Sequence, residues 1–482
     1  MPILRRFLAA LLAFSLATQP VCADELPDLG DVSSSELSLA AEKKIGQQVM
    51  HEIRWREPAY LDDADVESYL NLLGGRLTAV SNDPAFGFYF FPINEASINA
   101  FAMPGGYIGV HTGLILAAQS ESELAGVLAH EVSHVTQRHI ARQAYQSRNM
   151  GMASIAMLVL ALLAARSNAQ VASATMATGQ AGLISSQLAY SRDFEREADR
   201  LGFEVLRKAG FDPRGMAAFF ARLQKATRLY ENNATAYLRT HPLTGERLSD
   251  MQNREQAVPY RQVADSLEFH LVRAKLRAMQ GIPAEAQKEF ETLLHEKKFT
   301  NEVAAYYGLA YARYRAKDWP GAEQALAAIR RLKASAAMIE HLRADVAIAR
   351  GDVTAGQAIY REAMLRYPTD LGLLYGYGAA LTANRQFEEA RRFAEDQLQL
   401  YSDDVRLHKL RAESYAGLGR KAMEHRALAE VFALQGQLPT AIEQLQMALR
   451  AGDASFYELS MIDARLAELK KRQREELKDQ KN

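Results

Sequence analysis

Apolar residues recur every three or four positions along most of this chain, the period of a helix with one buried face. Ile45, Val49 and Ile53 predict a helix over 38–56, and Val66, Leu70, Leu73 and Leu77 predict a second over 63–80. The aromatic run 86–93 reads as a strand, and Pro104-Gly105-Gly106 as a turn into another at 107–110. A long helix follows over 121–144. Ser120 with Glu123 three residues later has the form of a capping box, and Leu124, Val127, Leu128, Val132 and Val135 supply the apolar side. Residues 153–165 form an apolar-rich run of thirteen, shorter than a membrane-crossing helix needs. A buried core helix, a mobile lid and a membrane-grazing segment are all open to it.

Beyond residue 260 the pattern repeats. The segments 281–286, 317–322, 351–356 and 385–390 mark one turn-then-helix position, and their last residues, Ala286, Ala322, Gly356 and Ala390, lie 36, 34 and 34 apart. Tyr360, Ala363 and Pro368 fall where a 34-residue tetratricopeptide repeat has its aromatic, its small residue and its terminating proline. Small residues at such marks let paired helices approach, and the pairs stack into a solenoid. The next mark, Glu424, is not small, and 436–441 restores the motif half a repeat late. The array is expected over 267–450 with an irregular unit near 424, followed by a capping helix and charged tail over 451–482. Pro259 interrupts the helical pattern ahead of it, so the array is expected to separate near 255–266 and to fold alone.

At 482 residues the chain exceeds what one core serves. Its first residues have the form of an export signal: Arg5 and Arg6, an apolar stretch over 7–17, then Val21-Cys22-Ala23 ahead of Asp24. Cleavage after Ala23 is expected, leaving 24–37 as a polar leader. Val21 stands where an acylation site would carry a smaller residue, so Cys22 is not expected to be lipidated. With 57 Lys and Arg against 58 Asp and Glu, the chain lacks the basic excess of a nucleic-acid binder.

His130-Glu131-Val132-Ser133-His134 carries the chemistry. Four residues apart on a helix, the two imidazoles project from one side and can grip one cation. Glu131, turned by about 100°, is placed to take a proton from a water that the cation acidifies. His139 falls off that face and is expected on the surface. A catalytic zinc takes a third protein ligand and keeps one position open. In 191–202, Glu195, Ala198, Asp199 and Gly202 share a helix face, and the two small residues admit a neighbouring helix. Glu195 is therefore the expected ligand, with Asp199 an acceptor for a ligand imidazole N–H, and Glu197 lies almost opposite. His241, ahead of Pro242, could bring a fourth nitrogen to the metal, a proton donor to the tetrahedral intermediate, or only packing at a helix end. The strand after Gly105-Gly106 could hold an extended substrate by main-chain pairing.

Taken together, the segment 99–106, His130 to His134, Glu195 with Asp199, and His241-Pro242 with Arg247 resemble the M48 family of zinc metallopeptidases over 38–255. The resemblance implies a mainly α protein, with an α+β zincin-like metallopeptidase domain followed by the α-helical solenoid. It also implies one Zn2+ per chain on His130, His134 and Glu195, with Glu131 as the general base. An exported M48 domain joined to such repeats implies a periplasmic endopeptidase that handles unfolded or misassembled outer-membrane β-barrel proteins. Its repeats would meet the outer-membrane assembly machinery. A chaperone or assembly factor, whose repeats hold clients while the zinc site seldom cuts, is the alternative.

Overall fold

The computed structural model describes residues 38–81, 87–146, 191–229, 235–259 and 261–479. The expected signal, the leader and the run 153–165 lie outside them. Among the described residues no helix is long and apolar enough to cross a membrane. The first two helices, α1 (Leu39–Arg56) and α2 (Ala64–Thr78), start where side chains close the first turn. Ser38 accepts from the Ala41 N–H, and Asp63 from those of Asp65 and Val66.

Three strands follow, β1 (Tyr89–Ile93), β2 (Ala100–Met103) and β3 (Tyr107–His111), in the spatial order β1-β3-β2. β3 runs parallel to β1 and antiparallel to β2. Strand β2 was not expected, because four residues alternating alanine with Phe101 and Met103 carry little pattern. Its presence makes β3 the middle strand, with Tyr107–His111 paired on one side and Tyr107–Val110 on the other. The strand after Gly105-Gly106 therefore has no free edge for a substrate. Gly105 and Gly106 turn at φ +78° and +91°, a region that glycine enters without steric cost. A side chain at Gly46 on α1 would collide with the Pro104 carbonyl.

After a short α3 (Thr112–Ala117), α4 (Glu121–Thr136) runs through the centre of the domain. Ser120 caps it by accepting from the Glu123 N–H, while the Glu123 carboxylate accepts from Gln119 and pairs with Arg222. Leu124, Val127, Leu128 and Val132 are fully buried, each worth about 1.5–3 kcal/mol of transfer free energy. The helix does not run on to 144. Arg138 turns into the left-handed region at φ +51°, its guanidinium 2.6–2.8 Å from the buried Glu42 of α1. The chain restarts as α5 (His139–Gln146) in a new direction. Then come α6 (Arg192–Lys208), α7 (Arg214–Leu229), α8 (Thr235–Thr240) and α9 (Gly245–Gln256). Helix α6 lies against α4 so closely that a Cβ on Gly202 would stand 3.0 Å from the His130 backbone nitrogen.

The C-terminal half is a succession of antiparallel helix pairs: α10 and α11 (Leu267–Met279, Pro283–His295), α12 and α13 (Glu302–Arg315, Trp319–Arg331), α14 and α15 (Ala337–Ala349, Val353–Arg366). They continue with α16 and α17 (Leu371–Ala383, Phe387–Leu398), α18 and α19 (Val405–Gly417, Lys421–Leu434), and α20 and α21 (Leu438–Arg450, Phe456–Asp479). The expected marks Ala286, Ala322, Gly356 and Ala390 are all buried. The turns inside the first five pairs use a left-handed residue at one recurring place, Gly281, Lys317, Gly351, Arg385 and Gly419. In the irregular unit Ala422, rather than position 424, fills the buried place.

The solenoid curves around the N-terminus of α2. Lys275 of α10 lies 2.6 Å from Asp65 and 2.7 Å from Asp63, His341 of α14 lies 2.9 Å from Asp65, and Arg406 of α18 pairs with Asp62 and Glu67. Glu121, at the start of α4, accepts from the backbone and hydroxyl of Ser266. One apolar cluster runs without a break from Leu70 and Leu128 to Phe269, Leu276 and Leu342. The first helices of the array share this core with the N-terminal half.

Burial alone would lower the pKa of His341, but Asp65 and then Asp345 outweigh it and raise it to about 9. Asp65 is penalised by burial, yet His341 and Lys275 hold it well below the usual carboxylate range. Asp65→Ala should leave the buried Lys275 with Asp63 alone and deprive His341 of its nearest carboxylate, and cost about 3–5 kcal/mol in urea unfolding of the full chain. The His341 contribution should be complete below pH 6.5 and fade as pH rises through about 9. An unchanged urea midpoint for the variant would refute the assignment.

Candidate metal centre

Helix α4 aims His130 and His134 at Glu195 of α6, and the turn after α8 brings His241 to the same point. All four are buried, and one ligand atom from each lies within 4.8 Å of the others. His134 Nε2 is 3.0 Å from His130 Nε2 and 3.4 Å from Glu195 Oε1, and His130 Nε2 is 3.5 Å from Glu195 Oε2. Tetrahedral bonds of the usual zinc lengths put neighbouring ligand atoms roughly 3.3 Å apart. The three side chains thus outline one face of such a site. His241 Nδ1, 3.3 Å from His130 Nε2 and 2.9 Å from Glu195 Oε1, sits at its fourth side. The donor set of nitrogens and one carboxylate suits a divalent cation of the zinc type.

Asp199 and Arg247 bring opposite charges up to this group. His130 Nδ1 is 3.0 Å from Asp199 Oδ1. Arg247 places Nε and a terminal nitrogen 2.6 and 2.8 Å from Asp199, and its other terminal nitrogen 2.5 Å from Glu195 and 2.7 Å from the Pro242 carbonyl. Burial opposes ionisation of Glu195, yet His241, His130 and His134 hold its pKa well below the ordinary range. For His130 burial works the other way, and Asp199 and Glu195 overcome it to raise the imidazole to about 9. Burial, joined by the neighbouring His130 and His241, pushes His134 well down. Glu131 is fully buried beside the cluster, Oε1 3.4 Å from His241 Nε2 and 3.5 Å from the Tyr237 hydroxyl. Its Oε2 has no hydrogen-bond partner among the described residues, an open acceptor of the kind a water would fill. Burial, then the Glu131 charge, keeps the Tyr237 phenol protonated far above its usual range.

Comparison with known proteins decides the family. Residues 64–255 match the model of Peptidase family M48, and 347–413 match a tetratricopeptide repeat. The beta-barrel assembly-enhancing protease of Escherichia coli O157:H7 is 32% identical, across 94% of this chain and 92% of its own length. The chain belongs to peptidase family M48. The beta-barrel assembly-enhancing protease of Yersinia pestis is 30% identical over 96% of this chain and 98% of its own. The mitochondrial metalloendopeptidase OMA1 of Arabidopsis thaliana shares 31% over 41% of this chain and 38% of its own.

This M48 metallopeptidase assembles the residues that the helix faces single out. His130, His134, Glu195 and Asp199 lie together, and His241, directly after the end of α8, stands among them. Glu197 points away from the cluster, as expected, but it is not idle. His139, expected on the surface, is fully buried. The break at Arg138 swings its ring back until Nδ1 lies 2.8 Å from His134 Nδ1 and Nε2 3.2 Å from Glu197. Burial first, against the pull of Glu197, lowers the His139 pKa to about 4. Tyr237 was also missed, since a lone tyrosine four residues before His-Pro carries no signal. Removing Arg247 leaves two buried carboxylates without their cation. Arg247→Met should lower stability by about 3–5 kcal/mol in urea unfolding, with loss of metal affinity alongside it. Wild-type values for both would show that Arg247 is dispensable.

Proposed function

We propose that this metallopeptidase is a zinc endopeptidase of the periplasm that acts on misfolded or misassembled outer-membrane β-barrel proteins and promotes their assembly. The observation that carries the chemistry is the triangle of His130 Nε2, His134 Nε2 and Glu195, with edges of 3.0–3.5 Å and Glu131 beside it. The β-barrel clients and the envelope location rest on near-full-length relatives described as beta-barrel assembly-enhancing proteases. The residues 5–23, with their paired arginines and apolar stretch, support export.

In this reading His130, His134 and Glu195 hold the metal, and Asp199 fixes the His130 ring by accepting at Nδ1. Zinc, when bound, supplies a Lewis acid that polarises the scissile carbonyl and lowers the pKa of water. Glu131 accepts the proton of the attacking water through its open carboxylate oxygen and passes it to the leaving amine. Tyr237, kept protonated, offers a donor beside Glu131. Contacts made by His241 on both sides, to Glu195 and to Glu131, favour a ring that fills the fourth position and restrains hydrolysis until it moves. That placement supports the second reading as well, in which the repeats hold clients and assist assembly while the site seldom cuts.

Purified protein should carry about one zinc per chain by the ligand argument. His130→Ala, His134→Ala and Glu195→Ala should each lower occupancy measured by elemental analysis, while Glu197→Ala should still fill at saturating zinc. Glu131→Gln should retain the metal and lose cleavage of an unfolded β-barrel polypeptide by at least about a hundredfold, the lower range for a lost general base. Cleavage at near wild-type rate by that variant would remove Glu131 from the mechanism. His241→Ala should raise fragment production without changing capture of the same polypeptide. A fall would make the ring a proton donor instead.

A further inference from the structure

The two metal-facing imidazoles are supported differently. His130 turns its far nitrogen to a carboxylate, Asp199, at 3.0 Å. His134 has Nε2 toward His130 and Glu195, and its Nδ1 meets another imidazole, that of His139, at 2.8 Å. Two ring nitrogens at that distance share one proton, so one donates and the other accepts. Which one donates is set from the far side of His139. Its Nε2 lies 3.2 Å from Glu197, whose carboxylate takes an N–H, and Arg142 holds that carboxylate at 2.9 Å. A neutral ring has a single N–H. With that proton facing Glu197, His139 Nδ1 keeps its lone pair, His134 Nδ1 must carry the hydrogen, and His134 Nε2 turns its lone pair toward the metal position. Phe194 stacks on the His139 ring at 4.5 Å and 13°, which fixes its plane.

We infer that His139 is a positioning residue for the metal site, an acceptor that, with Glu197 and Arg142 behind it, locks His134 in the tautomer that can bind. The inference rests on His134 being a metal ligand. Without the acceptor the His134 ring is free to rotate and to carry its proton on Nε2. Outer-shell partners of ligand histidines are worth roughly 10- to 100-fold in metal affinity. The reason for a histidine here, rather than a second aspartate, is charge: Glu131, Glu195 and Asp199 already place three carboxylates in the buried site, and the neutral ring passes on the influence of Glu197 without bringing a fourth inside.

The test is zinc affinity, by competition with a chromogenic chelator, in the full-length protein and three variants. His139→Phe keeps a ring stacked on Phe194 and removes both nitrogens, so affinity should fall roughly 10- to 100-fold with the circular-dichroism spectrum unchanged. His139→Gln retains an acceptor and a donor and should recover most of that loss. Glu197→Ala should weaken binding less than His139→Phe while still reaching one zinc per chain. In the zinc-loaded wild type, long-range nitrogen–proton correlation spectra should show the His134 proton on Nδ1. Wild-type affinity in His139→Phe overturns the inference, and so does an equal loss in the Phe and Gln variants. Should His139→Phe fail to fold, the Gln and Glu197→Ala affinities and the His134 spectrum decide it. A wild-type protein that binds no zinc would instead strike the metal reading itself.

Discussion

Two carboxylates, Glu195 and Asp199, face two imidazoles where α4 and α6 press together, all four nearly inaccessible to bulk solvent. Charge in such a place is tolerated only when each group meets its opposite at hydrogen-bond distance. That requirement explains the surroundings. Gly202 lets the helices come close enough for His130 to reach Asp199, and Arg247 supplies the cation that both acids need. Apolar side chains from Leu124 to Val132 hold the face still, so the ligands stand at fixed separations before any ion arrives. A divalent cation adds positive charge to a group already tuned for it.

The same rule is applied again at the joint between the halves. Asp63, Asp65 and Glu67 crowd the first turn of α2, and Lys275, His341 and Arg406 reach them from three different helices of the array. Asp65 and Lys275 are nearly inaccessible to solvent, at 4% and 5% exposure. Neither tolerates separation from the other, so the orientation of the catalytic half against the solenoid is specified by paired charges as well as by the apolar cluster they share.

What could be read beforehand was whatever depends on neighbours in sequence. Glu195 was separable from Glu197 because a helix turns by a fixed angle, and Ala198 and Gly202 announced a close helix. The repeat marks were visible because the same turn recurs. What could not be read depends on distant partners. The end of α4 at Arg138 is bound up with Glu42, nearly a hundred residues earlier, and His139 inherits its burial from that break. Strand β2 exists through its ladder with β3 rather than through its own composition. The charges on α2 look like a solvated helix start until residues two hundred positions later close over them.

Successive first helices of the array converge on one helix end, and this changes what the solenoid can offer. In stacked helix pairs the inner curve is the surface best shaped to grip an extended chain. Here that curve, from α10 to α18, is already occupied by a segment of the same polypeptide. The repeats hold their own catalytic half as though it were a permanent guest. Any other protein they recognise must be met on the outer helices, along the rim, or beyond α18 where the turn of the spiral is still open.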